Sequence, residues 1–154
     1  MSRVLNISVS KYEVFEEVGR ITEYVGKKSA TEGAYETIAT IKSNDTMLER
    51  FWSEGCNNIS ETLKHFLAKK PENDESYTAE CRMTNNWNFT LGESINEECK
   101  NYLVQYIVAK WMRMVKADEE QKYFADSVSI LDSVESMLLS RIRPMRFPLH
   151  CEFE

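Results

Sequence analysis

Apolar residues recur along most of this chain at helical spacing and switch to alternation in a few short stretches. "RVLNISVS" is β-rich, with Val4, Ile7 and Val9 in an imperfect alternation that predicts a short first strand. Ser10 and Glu13 then form a capping box, in which hydroxyl and carboxylate satisfy backbone amides left free at a helix start. Val14, Val18, Ile21 and Val25 follow at i, i+4 and i+3 steps, with Phe15 beside them, and predict a helix to about Gly26. After the polar "KKSATEG", a second short helix is expected over 31–42, burying Tyr35, Ile38 and Ile41. A longer helix is expected from Asp45 to Lys69, with the stripe Leu48, Phe51, Trp52, Cys56, Ile59, Leu63, Phe66 and Leu67. Gly55 interrupts it, at a cost of about 1 kcal/mol relative to alanine.

"KKPENDES" reads as a loop inside one domain, and beyond it the period changes to two. Tyr77, Ala79, Cys81 and Met83 alternate with polar residues, as do Trp87, Phe89 and Leu91. The polar "TNN" between them makes this a β-hairpin signal. Ser94 to Glu97 forms another capping box, opening a helix to about Val115 with Cys99, Leu103, Tyr106, Ile107, Trp111 and Met114 on its apolar side. A last helix is expected from Asp118 to about Ile142, carrying Phe124, Val128, Leu131, Val134, Leu138 and Ile142. Three acids in its first turn suit the helix dipole. The short "KAD" link makes these two helices an antiparallel hairpin.

Pro144 would stop the last helix, because the residue before a proline avoids helical geometry. Phe147, Leu149, Cys151 and Phe153 then alternate with polar residues and Pro148, as an edge strand would. The expected fold is α+β and mostly helical. It has about five helices and a small antiparallel sheet, made of the 77–91 hairpin with one or both terminal strands. The whole of 1–154 is read as a single domain with an extended C-terminal arm, 143–154.

Composition narrows the function classes. The chain is 42% hydrophobic with five Gly and three Pro, which suits a packed, regular fold. Its net charge of −6 sets its surface against phosphates, so the expected partners do not include nucleic acid. The N-terminus has no long apolar run, so neither a signal peptide nor a membrane helix is expected, and the protein should fold in a cytoplasm. Cys56, Cys81, Cys99 and Cys151 are widely spaced in apolar-patterned segments and read as buried free thiols.

Catalytic chemistry finds little purchase. The sequence has no nucleophile elbow, phosphate-binding glycine loop, dinucleotide fingerprint or zinc-protease motif. Glu61 and His65 share a helix face at i, i+4, without further ligands at diagnostic spacing. Neither catalytic residues nor a cofactor nor a metal is assigned. Trp52 and Trp111 belong to core stripes, whereas Trp87 stands beside a turn, where an exposed aromatic could anchor a partner. Arg141 complements a helix C-terminus; Arg143 and Arg146 lie beyond it and suit a partner's carboxylates. The candidate contacts are therefore Trp87, Arg143, Arg146, Phe147 and Leu149.

The run 101–147 is a helical hairpin with Tyr102, Tyr106 and Trp111 on one arm, Tyr123 and Ala125 on the other, and an R-x-R-P-x-R exit. In general build it resembles small structural proteins of tailed bacteriophages and prophages, of the neck, connector or tail-completion kind. The resemblance implies a helical subunit whose extended arms dock on neighbours. The expected function is a non-enzymatic structural or assembly subunit acting through contacts with other protein subunits, including copies of itself, in the cytoplasm or in a virion assembled there. The alternative is a cytosolic adaptor or immunity-type binding module; a small enzyme of unrecognised type ranks behind both.

Overall fold

The computed structural model describes residues 3–28 and 45–142. Strand β1, Arg3–Ser10, leads directly into helix α1, Lys11–Lys28. Helix α2 covers Asp45–Leu63, strand β2 Ser76–Met83, helix α3 Gly92–Val115 and helix α4 Ala117–Leu138. Four α-helices thus stand among the described residues where about five were expected over the chain. The one expected at 31–42 lies outside them, as does the C-terminal strand. No helix among the described residues is long and apolar enough to cross a membrane.

Helix α3 is the centre. Ile95, Cys99, Leu103, Ile107 and Trp111 bury one side of it, and Tyr102, Val104, Tyr106, Val108 and Met112 bury the others. A helix with apolar residues around most of its circumference has to be enclosed on most of its sides. Accordingly α1, α2, α4 and β1 all pack against it. One close approach is at Gly55 of α2. A Cβ there would stand 2.8 Å from Leu103 Cδ2 and 3.3 Å from Tyr106 Cδ1. The glycine that costs helix propensity is what lets the two helices meet.

The sheet has two strands, β1 and β2, paired antiparallel from Arg3 opposite Met83 to Ser10 opposite Ser76. Leu5, Ile7 and Val9 point into the core with Tyr77, Ala79, Cys81 and Met83. The inward phase of β1 thus includes Leu5, and Val4 faces outward. The hairpin expected over 77–91 is not formed, because its second arm is not a strand. Trp87 makes a single bridge to Arg141, and Phe89–Leu91 is a 3-10 turn. Local side chains decide this. Thr84 Oγ1 donates to Asn86 Oδ1 at 2.7 Å, and Trp87 N–H closes a turn onto the Thr84 carbonyl. Asn88 Oδ1 accepts from Thr90 Oγ1 at 2.6 Å and from Thr90 N–H. Such short-range bonds offer the backbone an alternative to a ladder.

Three helix boundaries move for related reasons. Helix α3 starts at Gly92, continuing the 3-10 turn, so Ser94 lies inside it and does not cap it. Helix α2 stops at Leu63, short of Lys69, because residues 66–72 pair with β2: Ala68 N–H donates to Glu80 O and Arg82 N–H to Phe66 O. Helix α4 stops at Leu138, well before Pro144. Residues 140–142 are drawn off to pair with 86–88, through Asn88 N–H to Ser140 O at 3.1 Å and Ile142 N–H to Asn86 O at 2.7 Å.

The core contains Phe51, Trp52, Leu103, Trp111 and Leu138 as expected, whereas Leu131 is only partly buried. The phase of the first half of α4 differs from the reading 124–128–131. Tyr123 and Ser127 face inward, and Phe124 and Val128 are exposed. Met114 of α3 is exposed too.

Truncating fully buried Leu103 to alanine is expected to lower unfolding stability by about 2–5 kcal/mol. Gly55→Leu should cost about 1–3 kcal/mol by forcing α2 off α3. Urea titrations of the two variants check both figures, and wild-type stability in Gly55→Leu would show that the crossing is not tight.

Candidate partner-binding edge

The backbone of β1 has one side in use and one side open. Ser8 N–H turns away from β2 and donates to the side chain of Asn96, at 2.8 Å from Oδ1. Backbone groups alternate along a strand, so Val4 and Asn6 present their N–H and C=O groups to the same outer side as Ser8. β2 confirms the phase from across the sheet. Its Thr78, Glu80 and Arg82 groups bond to residues 66–72, leaving Tyr77, Ala79 and Cys81 for β1. β2 is therefore covered on both edges, and among the described residues β1 is the edge of the sheet.

A groove of about 670 Å³ runs beside that edge. One wall is β1 itself, through Val4, Leu5, Asn6 and Ser8. The other is the first two turns of α3, with Gly92, Glu93, Asn96 and Glu97. Trp87 and Phe89 close the end nearest Arg3. The groove stays open because two of its apolar members are not packed: Val4 is 53% exposed and Phe89 57%. Arg3 stacks its guanidinium 4.3 Å from the Phe89 ring centroid and donates from Nε to Asn85 O. Asn96 is the opposite limit, since its amide occupies the Ser8 donor. Among the described residues, neither Glu93 nor Glu97 pairs with a cation.

Trp87 was expected to be exposed, and it is not. It is 2% exposed, its indole Nε1 donates to Met137 O at 3.1 Å, and it serves as a rigid end wall. Arg143, Arg146, Phe147 and Leu149 lie outside the described residues. The structure does show where they begin: Ile142 is held on the Asn86 carbonyl, next to the Asn85 carbonyl that holds Arg3. Val4, Asn6, Glu93, Asn96 and Glu97 were missed as site residues. Glu97 had been read as the carboxylate of a capping box with Ser94. The outward direction of Val4 was not legible, since the sequence grouped it with Ile7 and Val9.

A second surface lies between α2 and α4. Phe124, Val128 and Leu131 face Asn58, Glu61 and Thr62 across a cleft of about 320 Å³ floored by Tyr102 and Tyr106. The two tyrosine rings stack at 5.7 Å. Their hydroxyls are engaged, Tyr102 accepting from Asn58 Nδ2 at 3.0 Å and Tyr106 donating to Glu54 Oε2 at 3.3 Å.

The remaining candidate chemistry is the thiols. Cys56, Cys81 and Cys99 are free and buried. Burial pushes the Cys56 and Cys99 thiols up to about 12 and Cys81 to about 11, with the positive charge of Lys11 opposing the shift at Cys56. A thiol held neutral is a poor nucleophile. Glu61 pairs with Lys64 at 2.7 Å. Among the described residues no group of three or more His, Cys, Asp or Glu side chains is placed to hold a metal ion.

No protein-family model, curated protein or solved structure matches this chain.

The thiol environments carry a pH dependence. The fold favours the neutral form of each group, so their contribution is complete below the ordinary thiol value of 9.0 and is lost as pH rises toward about 12. Unfolding stability should therefore fall over that alkaline range. In a Cys151→Ser variant at pH 8, a thiol reagent should find no fast-reacting group until denaturant is added. Immediate reaction of one thiol per chain would show that Cys56, Cys81 or Cys99 is accessible.

Proposed function

We propose that this protein is a non-enzymatic assembly subunit that works by binding other protein chains, of the kind found in the neck, connector or tail of bacteriophages. The observation that carries the reading is the open edge of β1 with a groove beside it. An unpaired row of N–H and C=O groups on a sheet edge is a template for another strand, and proteins without such a use generally cover or charge it. Here the exposed side chains on that edge are Val4, Asn6 and Ser8, none of them charged, and the neighbouring helix supplies a wall rather than a cover. Strand addition of this kind draws affinity from main-chain bonds and specificity from side-chain pockets. The enclosure of α3 supports the reading, since a rigid body suits a subunit that must present its surfaces in fixed geometry.

The two carboxylates at the groove rim, Glu93 and Glu97, which have no cation partner among the described residues, favour a second reading. A binding module of the adaptor or immunity type would use them against a basic partner.

The two readings separate by size of the native assembly. In extracts of the cells that make it, the protein is expected to sediment in particles many times its own mass that survive nuclease treatment. Recovery solely as a small complex with one partner would support the adaptor reading. Recovery solely as free chains would overturn both.

A further inference from the structure

We propose that the β1 groove receives the C-terminal segment of a second copy of this chain, residues 143–154, so that two copies exchange arms. The inference rests on the assembly reading and names the occupant of its site.

Three observations select this occupant. First, the described residues leave the groove open, with Val4 and Phe89 more than half exposed. Secondly, the charges match. The rim carries Glu93 and Glu97 without cation partners among the described residues, and the first half of the segment carries Arg143 and Arg146, with its acids Glu152 and Glu154 confined to the last three residues. Arginine suits carboxylates of this kind because its planar fork can engage both oxygens. Thirdly, donor and acceptor share one pole of the molecule. The described chain ends at Ile142 on the Asn86 carbonyl, beside Asn85, Arg3 and the Phe89 end of the groove. A copy meeting another pole to pole gives its arm and receives one, which is a self-complementary, closed arrangement.

The sequence of the arm fits a terminal strand. The open run of β1 is short, Val4 to Asn6, because Asn96 occupies Ser8. Phe147 and Leu149 of the arm supply backbone groups on one side at a spacing of two residues, matching Val4 and Asn6. Pro148 lies between them, and its missing N–H then faces away from β1. The added strand closes the sheet and leaves no donor at Pro148 for a further one.

Light scattering on the full chain is expected to give the mass of two chains. The double variant Glu93→Lys/Glu97→Lys alters exposed side chains alone and should weaken the dimer by about tenfold or more. Asn6→Pro removes an outward N–H that β2 does not use and should act in the same direction. Thermal melts of both variants establish that the fold is retained. A synthetic peptide of residues 141–154, added in excess, should convert wild-type dimer to monomer. A monomeric wild-type chain overturns the proposal. If that monomer loses melting temperature when residues 145–154 are removed, the arm belongs to its own chain. A dimer indifferent to both variants and to the peptide also overturns it, while leaving the assembly reading to be judged by the native particle.

Discussion

The enclosure of α3 is the constraint on which the rest of the structure depends. Ile95, Leu103, Ile107, Val108 and Met112 are each fully buried, and they do not lie on one stripe. No single partner could cover them. Helix α4 takes one side through Val134 and Leu138, α2 another through Phe51, Cys56 and Ile59, and α1 and β1 the remainder. The tight spot is Gly55, where backbone replaces side chain so that Leu103 and Tyr106 can be accommodated. Trp52 extends the same packing outward. It meets Phe15 edge to face at 6.2 Å and donates from its indole to Asn73 O, tying α1 and the loop before β2 to α2.

Once α3 is enclosed, its first turns have to emerge somewhere, and they emerge beside β1. That position creates the groove. Leu5 packs inward near Gly92, while Asn96 reaches the Ser8 amide and Glu93 and Glu97 stand at the rim. The turn from Thr84 to Leu91 supplies the end wall. The same turn captures residues 140–142 and so determines where α4 stops. One local structure thus positions the groove end and residues 140–142 together. Residues 140–142 lie there because Trp87 and Arg141 are bridged, with the Trp87 indole anchored on Met137.

Helix α4 shows the opposite relation between pattern and burial. Phe124, Val128 and Leu131 look like a core stripe, yet the helix turns Tyr123 and Ser127 inward. Ser127 is tolerated there because its hydroxyl donates to the Phe124 carbonyl at 2.6 Å. The displaced apolar residues line the cleft over Tyr102 and Tyr106, giving the body a second unpaired surface away from the β1 edge.

Much of the fold was legible in the residues alone. The periodicities of α1, α2 and α3 placed Val14, Val18, Trp52, Cys56, Ile59, Cys99 and Leu103 in the core, and the alternation of 77–83 identified β2. Local periodicity reports these because each residue is buried by the face of its own element. The partner of β2 was not legible as a hairpin arm. Trp87, Phe89 and Leu91 alternate as well as any strand, but Asn86 and Asn88 bond to their neighbours first, and the distant segment β1 takes the ladder. The open edge was beyond the reach of sequence for the same reason. Which side of β1 stays unpaired depends on where β2 and α3 lie, and those positions come from contacts between residues up to 88 apart in the chain. The sequence determined which residues seek burial and at what period. The tertiary structure decided which backbone groups were left without a partner, because hydrogen-bond ladders are filled between elements that only the enclosure of α3 brings together.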